Sequence, residues 1–317
     1  MAYPIDLVIP MVFPQDDIWQ ADYASAHGMS AVKASGNVRF RSWGNERLLI
    51  LLCRKNMPWL RKIHILLAGE SQVQQWMKEM KSAESAADNG GKESLPSLNI
   101  VFHRDFIHHS LLPCFNVNTI EMHLHKIPDL AEHFIYSNDD FFPLSPLNPE
   151  DFFRLANGDS CAERALPCQQ CKVRPYPDKP NIFHKFVKNG LDMIAADFGK
   201  RFTDTWLRTG HSMQPMLRST VESVCTVHAD RIGKSFTLSR SPENFNQYIF
   251  PFWQHLSGQY IDHMPRHTYL GLKAATEDIV RHLRTEDPGI VCINDNGGIQ
   301  DWEERARIVK QELTRRT

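Results

Sequence analysis

Two carboxylates stand side by side at Asp139-Asp140, inside the run Ser-Asn-Asp-Asp-Phe-Phe at 137–142. The run follows HFIYS at 133–137, which reads as a strand, so the pair falls at a strand's carboxyl end. Adjacent carboxylates followed by apolar residues are costly to bury unless something positive neutralises them. A divalent cation held by oxygen ligands is the usual solution, and Mg²⁺ commonly bridges to substrate phosphates. The bland alternative is an Asx turn at the strand end. A second cluster, Asn294-Asp295-Asn296-Gly297-Gly298, follows the apolar run IVCI at 290–293. Alone it reads as a turn. Beside the first cluster it suggests one shared cation site held by Asp140 and Asp295, with the glycines allowing close backbone approach.

Groups suited to anions lie elsewhere in the chain. His211 precedes Pro215, and Arg240 immediately precedes Ser241-Pro242. Both prolines read as helix openers, and a helix N-terminus offers free N–H groups and the positive end of the dipole. An Arg beside it adds a planar fork for phosphate. Residues 39–47 hold three more arginines, of which Arg47 precedes the apolar run LLILLC. Cys161, Cys168 and Cys171 with His184 give a weak zinc signal, because the spacing is irregular. There is no GxSxG, GxGxxG, HExxH or P-loop motif, which removes the usual support for several enzyme classes.

The elements that must position these groups alternate. Residues 5–12, 62–67, 99–103, 133–137 and 290–293 read as strands. Val73, Trp76, Met77 and Met80 space one face of a helix, and Ile120, Leu124 and Ile127 another that Pro128 closes. Residues 81–97 read as an exposed loop. This order predicts an α/β fold, a mostly parallel sheet with helices on both faces, with ligands off the carboxyl ends of the strands. The second half reads as more helical. One helix is expected to open at Pro215 and another at Ser241-Pro242, the latter kinked by Pro251. A last helix is expected behind an Asp301/Glu304 capping box.

Composition bounds the function. The chain has 317 residues, enough for a large core, and its 18 Phe, 7 Trp and 7 Tyr exclude general disorder. Lys+Arg at 36 against Asp+Glu at 37 leaves no basic excess, which argues against a nucleic-acid partner. No apolar run approaches the length of a membrane span, the N-terminus lacks a signal-peptide pattern, and seven scattered cysteines fit a reducing compartment. A cytoplasmic location follows as the expectation.

The order of motifs resembles the Stealth family of capsular polysaccharide phosphotransferases, related to the N-acetylglucosamine-1-phosphotransferase of lysosomal enzymes. Four blocks carry the resemblance: IDLVIPMVFPQDDIW at 5–19; 39–69 with 103–142, including LPCFN, the IE-x-x-LH-x-IP-x-L run and YSNDDFF; HSMQPMLRSTVESV at 211–224 with SRSPENFNQYIFPFWQ at 239–254; and CINDN at 292–296. The resemblance implies one catalytic domain over 1–317. Its first half, 1–150, would be a nucleotide-sugar-binding α/β unit similar to GT-A transferases, and 151–317 would complete the active site. The implied reaction transfers a sugar-1-phosphate from a nucleotide-sugar, expected to be a UDP-sugar, onto a glycan hydroxyl. It leaves nucleoside monophosphate and a phosphodiester.

By motif position, the resemblance implies catalytic roles for Asp139, Asp140, His211 and Arg240. It places Mg²⁺ or Mn²⁺ on Asp140 and Asp295, and substrate on Arg47, Asp6, Asp16, Asn116, Asn118 and Asn138. It also implies an association with polysaccharide machinery at the inner membrane face. Block one departs from the family pattern at Phe13 and Pro14, where the pattern has Asp and Gly, and keeps Asp16. Two readings compete. One is a glycosyltransferase releasing nucleoside diphosphate; the other is an inactive carbohydrate-binding homologue, motivated by Phe13 and Pro14.

Overall fold

The computed structural model describes residues 3–29, 41–87, 95–156, 161–295 and 297–317. Its centre is a five-stranded sheet. β1 (Ile5–Pro10), β2 (Lys62–Leu67), β3 (Ser97–Phe102) and β4 (His133–Tyr136) are parallel in the order 4-1-2-3. All four coincide with the apolar runs of the sequence, β2 at both ends and the others with ends no more than two residues off.

Alternate residues of these strands feed two cores, as a sheet buried on both faces requires. Leu7, Ile9, Ile63 and Ile65 face one core, together with Leu49, Leu52 and Cys53 of the helix Glu46–Asn56. Val8, Leu66, Phe134 and Tyr136 face the other. That second core is closed by the helices Ile182–Asp197, Arg218–Val227 and Ile249–Ser257. The expected α/β class, with helices on both faces, is what the chain adopts.

The second half completes the first. After β5 (Phe141–Pro143), β6 (Phe153–Arg154) and β7 (Leu166–Gln169), β8 (Cys171–Pro175) and β9 (Thr205–Thr209) form an antiparallel ribbon. β10 (Gln214–Leu217) then adds antiparallel to β4 as the outer strand of the main sheet. β11 (Ile261–Asp262) pairs with β7, and β12 (His267–Gly271) is parallel to β13 (Ile290–Asn294). β13 lies antiparallel to β5, with Cys292 opposite Phe141. That pairing draws the end of the chain against Asp139-Asp140.

Five local expectations are corrected. Pro215 lies within β10 and not at a helix start; proline is compatible with both places, and the helix opens at Arg218. Ser241-Pro242 opens no helix. Asn244 accepts from the Ser241 N–H at 2.9 Å and donates to Thr237 Oγ1 at 3.0 Å, which folds the segment into turns. The helix starts at Ile249, so Pro251 sits in its first turn, where its missing N–H has no intrahelical partner to lose. Asp301 precedes the helix Trp302–Thr314 without capping it. The expected loop at 81–97 is helical as far as Ala87, and 88–94 lies outside the described residues.

Candidate active site

The site forms where β4 ends and β5 begins. Asp140 Oδ2 accepts from Asn294 Nδ2 at 2.8 Å and from the Cys292 thiol at 3.5 Å, both donors on β13. Its other oxygen, Oδ1, is buried and has no partner among the described residues. A buried carboxylate oxygen without a donor is costly, and Oδ1 is an acceptor left free for a ligand.

Asp139 is held by its backbone. Its carbonyl accepts from Asn45 Nδ2 at 2.9 Å, at the entry to the helix Glu46–Asn56. Desolvation first, then the charges of Asp140 and Glu46, push its carboxyl up to about 7. A carboxyl that titrates near neutrality is matched to accepting or giving a proton at physiological pH.

His211 comes from the turn between β9 and β10. It packs edge-on against Phe141 at 5.1 Å and Tyr269 at 5.2 Å between ring centroids. Burial lowers its pKa although Asp140 pulls the other way, so the neutral imidazole is favoured. Atoms of Asp140, His211 and Cys292 capable of holding a metal lie within 4.8 Å of one another. The Cys292 thiol is raised well above its ordinary range, by burial first and by Asp140 second. It therefore serves Asp140 as a hydrogen-bond donor in this arrangement. Asp140 and His211 are the pair whose lone pairs suit a cation.

Asp295 is near, but it does not share a site with Asp140 in the way expected. Arg41 donates to it bidentately, Nε to Oδ2 and Nη2 to Oδ1, both at 2.8 Å. Trp302 Nε1 adds a bond to Oδ2 at 2.6 Å, and the Gly297 N–H a bond to Oδ1 at 2.9 Å. Two oxygens carry about four acceptor positions, and all are used. The Arg41 guanidinium also lies 4.1 Å over the Trp302 ring. Gly297 and Gly298 both have positive φ, 68° and 65°, which the turn below Asp295 requires.

Arg240 is half-buried on the segment between the helix Ala229–Lys234 and the helix at Ile249. Its charge is felt at Tyr136 and at Glu121. Glu121 accepts from Tyr136 Oη and from the Gln247 N–H, both at 2.8 Å, and burial raises its carboxyl to about 7. Two latches set the Arg240 segment. Asn116 Nδ2 donates to the carbonyls of Thr237 at 3.0 Å and Ser239 at 3.2 Å, while His27 Nε2 bonds Ser239 Oγ at 2.7 Å.

The expected substrate residues divide. Asp6 is fully buried at the start of β1, the opposite end of the sheet from Asp140. It is a structural anion, and its placement on substrate is corrected. Asn116 is likewise fully buried and is the latch just described, not a surface facing a ligand. Asp16 caps the helix Asp17–Ala26 and accepts from Ser71 at 2.6 Å and Gln72 at 2.7 Å. Gln72 also clamps both backbone groups of Phe13, whose ring lies in the core. Asn138 is half-buried next to Asp139, and Arg47 is exposed in the first turn after Glu46. Asn118 is buried with its Nδ2 unpartnered among the described residues.

The cysteine expectation for zinc finds no support among the described residues. Cys168 and Cys171 sit against the carbonyls of Glu150 and Pro251. Sequence reasoning missed Glu46, Cys292 and the Arg41–Asp295 pair. Arg41 stood in the basic 39–47 segment, which was the available signal.

Comparison with known proteins places the chain beside polysaccharide phosphotransferases. Residues 39–161 match the family model for Stealth protein conserved region 2. The chain is 27% identical to the receptor polysaccharide phosphotransferase WefC of Streptococcus oralis, over 95% of this chain and 93% of that protein. It is 26% identical to the capsular polysaccharide phosphotransferase WcwK of Streptococcus pneumoniae, over 94% and 92%. Against the capsular polysaccharide phosphotransferase LcbA of Neisseria meningitidis the identity is 35%, over 49% of this chain and 39% of that one. A solved galactosyltransferase, LgtC, with donor and acceptor sugar analogues, aligns over 98% of this chain and 96% of its own at 11% identity. Its TM-score is 0.41. The chain is thus related to the Stealth polysaccharide phosphotransferases. No helix among the described residues is long and apolar enough to cross a membrane.

Proposed function

We propose that this protein transfers a sugar-1-phosphate from a nucleotide-sugar to a glycan hydroxyl during capsular or exopolysaccharide synthesis. The observation that carries this is the unpartnered Asp140 Oδ1 beside neutral-range Asp139, with His211 in reach. The names of the relatives support the class of reaction. Asp139 accepts the proton of the attacking hydroxyl. The oxygen attacks the sugar-bearing phosphorus, the bond to the nucleotide's own phosphate breaks, and nucleoside monophosphate leaves. Arg240 stabilises charge on the transferred phosphate, and neutral His211 hydrogen-bonds it. Asp295 acts through Arg41, whose guanidinium it fixes at the edge of the site.

Asp140 and His211 would hold Mg²⁺ or Mn²⁺, and the mixed oxygen and nitrogen set is more usual for Mn²⁺. Such an ion neutralises diphosphate charge when bound. The donor is a nucleotide-sugar, for which a UDP-sugar is the first choice to test. The enzyme would work beside membrane-bound polysaccharide machinery.

Phosphorus NMR of a reaction with a panel of nucleotide-sugars, Mn²⁺ or Mg²⁺ and short glycans tests the reading. A phosphodiester resonance appearing with nucleoside monophosphate is expected. Nucleoside diphosphate without a phosphodiester would replace it with glycosyl transfer.

A further inference from the structure

A cleft leads away from His211, and its far end is basic. The nearer part has a volume of about 480 Å³ and is walled by Phe183, Trp206, Tyr248, Phe252 and Tyr269, with His211 and Asn294 at the catalytic end. Aromatic walls with a few polar groups suit the apolar faces and hydroxyls of sugar rings. Arg208 and Thr209 lead from it into a second hollow of about 210 Å³, lined by Lys172, Arg174, Gly210 and His267. A Cβ at Gly210 would meet the side-chain ends of Met264 and His267, which would have to shift.

The register of the β8–β9 ribbon makes the basic end unusual. Lys172 lies directly opposite Arg208, and Arg174 is two residues along, so all three share one face. Like charges directly opposite one another in a ribbon are destabilising. All three side chains are exposed, and none has an ion pair among the described residues. Trp206, opposite Arg174, belongs to the same face and is also a wall of the aromatic cleft. An arrangement with three unpaired cations at the end of a sugar-sized cleft is relieved by an anionic ligand that enters from the cleft.

We propose that the β8–β9 ribbon is an acceptor subsite for an anionic glycan. Its sugar rings would lie along the aromatic cleft, and a negative group one or two residues back from the attacking hydroxyl would sit on Lys172, Arg174 and Arg208. This rests on the transferase reading of the Asp139-Asp140 site. The charge recognised is a phosphodiester or a carboxylate. A phosphodiester would mean that the enzyme prefers acceptors already carrying the linkage it makes. A carboxylate would mean that an acid-sugar transferase must act before it.

The test uses three acceptors of equal length: neutral, carrying one internal phosphodiester, and carrying one uronic acid. Transfer is measured for the full chain and for Lys172→Gln/Arg174→Gln, and binding of each glycan is titrated separately without donor. The wild type should prefer at least one anionic acceptor by about tenfold in kcat/KM, the usual scale of one charge-assisted contact, and the ratio should fall toward one in the double variant. Binding should follow the same order, and whichever anion gains more identifies the source of the charge. Equal use of charged and neutral acceptors, or a preference that survives the double variant, overturns the subsite. Charge-selective binding without transfer to any acceptor would leave the subsite standing and remove the transferase reading. Circular dichroism of the double variant checks that the ribbon stays folded.

Discussion

The two ends of the central sheet hold acids in opposite conditions. At the amino end, Asp6 has every need met. Arg61 donates to both of its oxygens at 2.9 and 2.6 Å, the Ala131 N–H donates at 2.8 Å, and His64 at 3.0 Å. Asn99 donates to the other ring nitrogen of His64, which fixes the tautomer facing Asp6. Burial pushes the Asp6 carboxyl upward, but these bonds outweigh it and hold it below the ordinary carboxylate value. At the carboxyl end, Asp140 keeps an unpartnered oxygen, and Asp139 is raised to about 7. One end is built for stability. The other keeps an acceptor free, where the proposed substrate and cation would bind. Residue type does not separate these two ends, since both carry aspartate; satisfaction of hydrogen bonds does.

The comparison is sharpest when one acid at each end is changed alone. Asp140→Asn should lower turnover by at least about 10²–10³-fold, the scale set by loss of one preorganised electrostatic group. Its urea midpoint should hold or rise, because a repulsive charge is gone. Asp6→Asn should do the reverse. Breaking a buried ion pair costs about 3–5 kcal/mol, seen as a lower urea midpoint, while the protein that remains folded keeps near-normal kcat. Its effect also has a pH sign. A depressed carboxyl stabilises above its unfolded pKa and loses that contribution as pH falls through the folded value, so the gap between Asp6→Asn and wild type should shrink in acid.

Arg41→Ala sits between these extremes. It leaves Asp295 beside the site with its charge uncompensated, and kcat/KM should fall about tenfold with little change in unfolding midpoint. Glu121 gives the smallest and most diagnostic effect. Its carboxyl rises from 4.5 to about 7 on folding, so the stability it contributes is present below 4.5 and is lost as pH rises toward 7. Glu121→Gln resembles the neutral acid and does not ionise, so it should sit near wild type in acid and not lose stability across that window. Wild-type Tm should fall relative to the variant by about 2–4 °C as pH rises from 4.5 to 7, the change expected for roughly 1 kcal/mol.

Much of the frame was readable from the chain. Apolar runs such as KIHILL at 62–67 and HFIY at 133–136 have one good solution, a strand buried on both faces, and they formed it. The acidic pair was equally legible because two adjacent carboxylates after such a run have few inexpensive explanations. What failed was whatever depends on a distant partner. Asp295 read as a ligand because its guanidinium partner lies 254 residues away. Asp6 read as a substrate residue because nothing local announces Arg61 and His64. Pro215 and Ser241-Pro242 misled for a different reason: proline is at home at a helix start, on an outer strand and in a turn, and neighbours choose among them. The segment around Arg240 is fixed by Asn116 and His27, which local pattern does not connect to it.

The central claim is that chemistry at Asp139-Asp140 occurs at phosphorus and not at the sugar's anomeric carbon. A donor labelled with ¹⁸O in the oxygen joining the sugar to its phosphate tests this directly. Sugar-phosphate transfer leaves that bond intact, so the account predicts the label in the phosphodiester product and none in the released nucleoside monophosphate. Label recovered in a released nucleoside diphosphate would mean that the sugar–oxygen bond had broken, and would contradict the account.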